Sequence, residues 1–112
     1  MPEFQRRALT NFERWVSEYE SLVSTLKDGY DLCSAEYAND LAPRQFIEEN
    51  RDHPEIAALR PRVDAADSLL KQLLVPTKSC FHGDYPETWF WFWGYPSNSP
   101  ELERDLRNLG AL

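Results

Sequence analysis

Two amphipathic stripes constrain the fold more than any other feature of this chain. Apolar residues recur in steps of three and four from Leu9 to Leu26, and again from Ile56 to Leu73. This spacing places the apolar residues on one face of a helix and leaves the other face polar. We therefore predict one long helix over roughly residues 3–27 and a second over roughly residues 52–75, packed side by side in an antiparallel bundle.

Prolines and turn residues divide the rest of the chain. Pro43 predicts that residues 31–51 form two short helical pieces, because proline has no N–H to donate inside a helix. Pro61 lies within the second stripe and predicts a kink or a break there. Ser99, which is followed by a proline, predicts the start of a last helix. The 112 residues are thus expected to form a single helical domain, mostly α, with three to five helices in a small bundle.

An aromatic segment, FHGDYPETWFWFWGYP, begins at Phe81 and holds eight of the fifteen aromatic side chains in the chain. Aromatic residues favour strands, so we predict a short extended or β segment near residues 79–93. Its central strand is expected at 88–93, paired with 79–82. Alternation along a strand would direct Trp89, Trp91 and Trp93 to one face and the phenylalanines to the other. Both faces are apolar and both would need cover.

Two interpretations of the aromatic segment are open. The rings could close the core of the bundle, or one ring face could anchor a partner, since Trp and Tyr are frequent in binding hot spots. Stacking of a sugar or a nucleobase is a third interpretation, although an acidic neighbourhood disfavours a polyanion. The candidate partner-binding residues combine rings with nearby carboxylates: Asp84, Tyr85, Glu87, Trp89, Trp91, Trp93, Tyr95, Glu48 and Glu49.

The charge distribution narrows the choice of partner. The chain carries a net charge of −7, and no basic side chain occurs between Ser79 and Glu103. An acidic protein is poorly suited to direct contact with nucleic acid or with an anionic membrane, and well suited to a basic protein. The sequence contains no apolar run of the roughly 18–20 residues that span a bilayer, and its first residues lack the apolar region of a signal peptide. We therefore expect a cytoplasmic protein with reduced cysteines.

Candidate catalytic and metal-binding residues are few. Cys80, His82 and Asp84 occupy alternate positions and could share one face of an extended segment. Their spacing of about 6.5–7 Å between Cα atoms is too long for a dependable relay without bending. Together with His53 and Cys33, these residues show none of the spacings of a zinc module. No phosphate-binding loop or hydrolase motif is present, so we expect no enzyme activity, no metal and no cofactor.

In size, acidity and aromatic content the chain is similar to small acidic bacterial or phage proteins that neutralise a target, such as toxin-immunity proteins, antitoxins and anti-CRISPR inhibitors. This likeness implies a non-enzymatic protein that inhibits a basic partner, such as a toxin, a nuclease or a nucleic-acid-binding complex. Inhibition would be steric and electrostatic, with carboxylates steering association and rings anchoring it. The alternatives are a homo-oligomeric structural or assembly subunit, for example a homodimer formed through the aromatic patch, and a small Cys/His-dependent enzyme or metal protein.

Overall fold

The computed structural model describes residues 10–112, which contain five α-helices, one 3₁₀ turn and a two-stranded sheet. In chain order the elements are α1 (Asn11–Leu26), α2 (Ser34–Asp40), α3 (Ala42–Glu49), α4 (Pro54–Leu73), β1 (Leu74–Pro76), the 3₁₀ turn (Phe90–Phe92), β2 (Gly94–Pro96) and α5 (Pro100–Asn108). This arrangement confirms the predicted fold class, a small helical bundle with an aromatic segment. Among the described residues, no helix has both the length and the apolar character needed to cross a membrane.

Helix α1 begins with a capping box that fixes its first turn. The Thr10 hydroxyl accepts a hydrogen bond from the Glu13 N–H, and the Glu13 carboxylate accepts one from the Thr10 N–H. These two bonds satisfy N–H groups that have no partner within the helix. The predicted start of this helix near residue 3 lies outside the described residues. The apolar stripe of α1 packs against α3 and α4 and is buried at Val16, Tyr19, Val23 and Leu26.

Helices α2 and α3 meet at the predicted proline. Helix α2 ends at Asp40, and α3 starts at Ala42 with Pro43 in its first turn, where a missing N–H costs nothing. The segment PRQFIEEN predicts about two helical turns with Phe46 and Ile47 facing inward, but only Ile47 is fully buried, while Phe46 is 38% exposed. Neighbouring residues on a helix are rotated by about 100°, so the two side chains cannot share one narrow face.

Helix α4 differs from the prediction at two positions. Asp52, with Glu55 three residues later, has the pattern of a capping box and predicts the N-cap. The N-cap is instead the next residue, His53, whose Nδ1 accepts from the Glu55 N–H at 3.1 Å. The helix also runs without a break through Pro61. Proline removes the N–H that would bond the carbonyl of Ala57, and both residues are exposed, so water can satisfy that carbonyl.

The strands lie next to the predicted extended segment. β1 pairs antiparallel with β2, with Val75 opposite Tyr95. The stretch 88–93, expected to be a strand, instead forms turns and the 3₁₀ turn, and no strand forms at 79–82. A strand here would have needed cover on two apolar faces, whereas the 3₁₀ turn brings the consecutive rings of Trp91 and Phe92 into one core.

Helix α5 starts after Ser99, as predicted, but the Ser99 hydroxyl donates to the carbonyl of Pro96 instead of capping the helix. The spacing of Leu102, Leu106 and Leu109 predicts that all three face inward. Leu102 and Leu106 are buried, but Leu109 is 61% exposed. The helix ends at Asn108, so Leu109 lies beyond its regular spacing.

Gly29 lies where the loop after α1 meets the loop before α5. Its φ angle is +105°, and a Cβ atom at this position would lie 2.4 Å from the carbonyl oxygen of Asn98. The next residue, Tyr30, donates its backbone N–H to that same oxygen at 3.1 Å. Only glycine fits both the backbone conformation and this close approach.

We predict that Gly29→Ala destabilises the protein much more than Gly110→Ala. Gly110 also has a positive φ of +80°, yet a Cβ atom there would meet nothing within 4 Å. Gly110→Ala should therefore cost about 1–2 kcal/mol of backbone strain. Gly29→Ala should cost about 1–3 kcal/mol more, because the added methyl meets the Asn98 carbonyl. Urea denaturation of both variants measures the difference, and equal losses would contradict the close approach.

Candidate functional site

The structure separates the predicted partner-binding residues into three groups. Trp91 and Tyr95 are buried, at 1% and 7% exposure. Four others are half-buried, namely Glu48, Tyr85, Trp89 and Trp93, and three are exposed, namely Glu49, Asp84 and Glu87. The predicted strand alternation, which would direct the three tryptophans to one face, does not occur, because a 3₁₀ turn replaces the strand. Substitution of Trp91 would therefore act through stability and not through direct partner contact.

The half-buried rings form a stack that continues inward. Tyr85 lies parallel to Trp89, with ring centroids 4.3 Å apart and an interplanar angle of 8°, and Trp89 stacks on Trp91 at 5.4 Å. The Trp93 indole N–H donates to the carbonyl of Tyr85 at 3.1 Å. Much of the aromatic segment is thus engaged with itself, which favours the core interpretation for its inner rings.

The inner end of the stack is a buried arginine. The guanidinium of Arg44 lies 4.1 Å from the centre of a Trp91 ring, and Arg44 is only 3% exposed. It forms two hydrogen bonds to Asp67, from Nε and Nη2, each 2.9 Å long, and a third to Glu48 at 3.2 Å. Asp67 also accepts from the Tyr19 hydroxyl at 2.6 Å. Four elements, α1, α3, α4 and the 3₁₀ turn, therefore meet at one cation.

This network keeps Arg44 charged in the interior. Burial alone would lower the pKa of Arg44, but the hydrogen bonds and charge of Asp67 outweigh it and raise that pKa above its ordinary value. Burial, followed by the adjacent Asp67 carboxylate, raises the pKa of Tyr19, which stays a neutral donor. The desolvation of a buried cation is offset only when such partners are all in place.

We predict that Arg44→Ala destabilises the protein by about 3–5 kcal/mol, because it leaves Asp67 with an uncompensated charge in the interior. Arg62→Ala is the matched control. Arg62 also forms a two-bond pair with one carboxylate, Glu20, at 3.0 and 2.6 Å, but this pair is exposed at the surface. Its loss should cost about 1 kcal/mol or less. Chemical denaturation compares the two, and similar losses would show that the Arg44 network adds little.

Tyr37 is a buried polar residue whose hydroxyl has no hydrogen-bond partner within residues 10–112. Its side chain is fully buried, and its ring stacks on Phe81 with centroids 5.7 Å apart. Burial raises the pKa of Tyr37 above its ordinary value of 10.0. Because this pKa is higher in the folded protein than in the unfolded chain, ionisation of Tyr37 does not change the free energy of unfolding below about pH 10. Above that pH, the free energy of unfolding falls as the pH rises.

We predict that Tyr37→Phe stabilises the protein by about 1 kcal/mol at neutral pH, since it removes a buried, unsatisfied hydroxyl. It should also reduce the alkaline loss of stability by about 1.4 kcal/mol per pH unit above pH 10. Tyr19→Phe, which deletes a hydroxyl bonded to Asp67, should instead destabilise at neutral pH. Denaturation at several pH values tests this, and a destabilised Tyr37→Phe variant would contradict the buried, unpaired hydroxyl.

An acidic groove lies between α1, the loop after it, and α2. Its volume is about 610 Å³, within the range of pockets that hold ligands. Three carboxylates line it, those of Glu18, Asp31 and Asp40, and apolar walls come from Leu22, Leu32 and Pro43. None of the described side chains that line it is basic. We call this feature the acidic groove.

A smaller hollow of about 330 Å³ adjoins the acidic groove, and Asn39 lines both. Gln45 lines the hollow, and its Nε2 donates to Glu49 at 3.2 Å and to the Tyr85 hydroxyl at 3.1 Å. The structure thus brings Glu49 and Tyr85 together, two predicted site residues from distant parts of the sequence. The other predicted carboxylate on α3, Glu48, is held by Arg44 and Arg51 and is not free to bind a partner.

Two of the groove carboxylates, Asp31 and Asp40, belong to the acidic stretch 31–53, in which six carboxylates face two arginines. The sequence does not indicate that Glu18 joins them, because its position depends on how α1 packs against its neighbours. Two groove residues ten positions apart are also joined by a hydrogen bond, from the Tyr30 hydroxyl to the Asp40 carboxylate, which no local sequence pattern predicts.

The residues considered for catalysis do not form a relay. The Cys80 thiol donates to the backbone carbonyl of His82 at 3.0 Å, and the His82 ring packs against Phe92. Cys33 and Cys80 are unpaired. Within residues 10–112, no group of three or more His, Cys, Asp and Glu side chains is placed to hold a metal ion.

Neither a protein-family model, nor a curated protein, nor a solved structure matches this chain.

Proposed function

We propose that this is a non-enzymatic cytoplasmic protein that inhibits a basic partner protein by binding its Lys or Arg side chains in the acidic groove. The observation that carries the proposal is the groove lining, with three carboxylates and no basic side chain among the described residues. Within residues 10–112, Glu18 and Asp31 form no hydrogen bond or ion pair through their carboxylates, so these charges are available to a partner.

Charge and shape support the proposal together. A concave site lined by one sign of charge concentrates the electric field and accelerates association with an oppositely charged surface. Arginines elsewhere are engaged internally: Arg44, Arg62 and Arg107 each pair with a carboxylate of this chain. The groove carboxylates are not neutralised in this way. The same field repels phosphate groups, so the ligand we propose is a protein and neither a nucleic acid nor a membrane surface.

The inhibitory mechanism follows from what basic surfaces do. A toxin, a nuclease or a nucleic-acid-binding complex uses Lys and Arg side chains to hold phosphates. A protein that occupies those side chains blocks the surface by steric and electrostatic occlusion. The proposed mechanism resembles that of immunity proteins, antitoxins and anti-CRISPR inhibitors. The exposed carboxylates of Asp84 and Glu87, next to the Gln45-linked pair of Glu49 and Tyr85, would extend the acidic surface beyond the groove.

We predict that a fluorescently labelled arginine-rich peptide binds the protein and that its affinity falls steeply as salt rises, measured by anisotropy. Asp31→Asn should weaken binding by about threefold to tenfold, since one groove charge is lost. Asp64→Asn makes the same change in net charge at an exposed position on α4, where the side chain is 66% exposed, and should have little effect. Equal effects of the two variants would show that net charge, and not the groove, determines binding.

A further inference from the structure

A second, partly exposed feature is formed by residues of α1, of α3 and of the loop before α4. The rings of Trp15 and Phe46 lie 5.2 Å apart, Phe12 contacts Trp15 edge-on at 5.2 Å, and His53 lies 4.4 Å from Phe12. Phe46 is 38% exposed, and Phe12 and Trp15 are half-buried. We call these four side chains the aromatic shelf. None of them belongs to the tryptophan-rich segment.

The aromatic shelf and the acidic groove lie on one helix–helix seam. Leu22 of α1 and Pro43 of α3 line the groove, and Trp15 of α1 contacts Phe46 of α3. From the groove to the shelf, residue numbers fall along α1, from Leu22 to Trp15, and rise along α3, from Pro43 to Phe46. The two helices therefore run antiparallel. Trp15 and Leu22 are seven residues apart and share one face of α1, with Glu18 on the same face between them. The shelf is thus a continuation of the groove.

We propose that this seam binds an amphipathic helix of the basic partner, with a Lys or Arg in the acidic groove and an apolar side chain on the aromatic shelf. This inference depends on the proposed function, because it names the element of the partner that the groove binds. Seven residues of α1 separate the two subsites, a distance of about 10 Å. A partner helix would match them with a basic residue and an apolar residue seven positions apart on one face.

The walls of the seam favour a helix over an extended peptide. Along the aromatic shelf and the length of α1, the seam is bordered by helices whose backbone N–H and carbonyl groups are bonded within the helices, and the loop residues 29–32 border only the acidic groove. An extended peptide would find no backbone partners there and would leave its own polar groups unsatisfied. A helix satisfies its backbone internally and buries only its side chains, as in other helix-in-groove complexes.

Charge argues for a basic partner and against a second copy of this chain. Glu18 lies between Trp15 and Leu22 on α1, Asp31 and Asp40 also line the groove, and none of the described side chains lining it is basic. A second copy would bring a net charge of −7 to this surface. Aromatic rings beside unpaired carboxylates are instead complementary to a helix with alternating apolar and cationic residues.

Two labelled synthetic helical peptides of equal composition test the inference. In the matched peptide an arginine and a leucine are seven positions apart, and in the control the leucine is moved two positions further, which rotates it by about 200° to the opposite face. We expect the matched peptide to bind about tenfold more tightly. Phe46→Ser should abolish this difference, whereas Leu109→Ser, a matched change at an exposed leucine just after the last helix, should preserve it.

The outcomes separate this inference from the proposed function. Glu18→Gln should weaken both peptides, because both carry the arginine. Suppose that both peptides bind with equal affinity, that Glu18→Gln weakens the binding of both equally, and that Phe46→Ser changes neither affinity. This result supports the acidic groove and rejects the aromatic shelf as an anchor. If neither peptide binds, both proposals fail. Sedimentation of the full chain tests for a dimer. If the protein is a dimer and Phe46→Ser converts it to a monomer, the aromatic shelf binds a second copy of the chain, and the inference is overturned.

Discussion

The buried charge of Arg44 is the constraint on which the rest of this structure depends. A guanidinium at 3% exposure is stable only when carboxylates and rings replace its lost hydration. Asp67 comes from α4, Tyr19 from α1 and Trp91 from the 3₁₀ turn, so the position of one side chain links elements that are far apart in sequence. The aromatic segment is therefore a part of the packing around a cation as well as a hydrophobic plug.

This use of the aromatic segment changes where a partner can bind. Trp91 is covered by Arg44 on its inner side and stacks with Trp89, and Trp89 stacks with Tyr85. The rings that the sequence suggests as an anchor are largely engaged within the protein. Among the described residues, α1 and α3 present a partly exposed surface where aromatic side chains lie beside acidic ones. A role in binding a basic protein is compatible with both the overall charge and this local geometry.

The helices were predictable because their signals are local. The apolar stripes placed α1 and α4, and Pro43 placed the junction of α2 and α3. The errors arose where distant residues decide the outcome. Pro61 leaves α4 unbroken because the affected carbonyl faces water, and the stretch 88–93 bends into a 3₁₀ turn because only one core is available to cover its rings. The acidic surplus of residues 31–53 is visible in the sequence, but the positions of Glu18 and Phe46 depend on how α1 and α3 pack.

The sequence by itself determined the helical class, the acidic character and the concentration of rings near the C-terminal end. These properties depend on residue types and on spacings within one or two helix turns, which do not change with the packing of the chain. Tertiary structure alone decided which rings are buried, which carboxylates are neutralised and which surface stays open. Burial and ion pairing depend on contacts between residues tens of positions apart, such as Arg44 with Asp67, and no local pattern encodes those contacts.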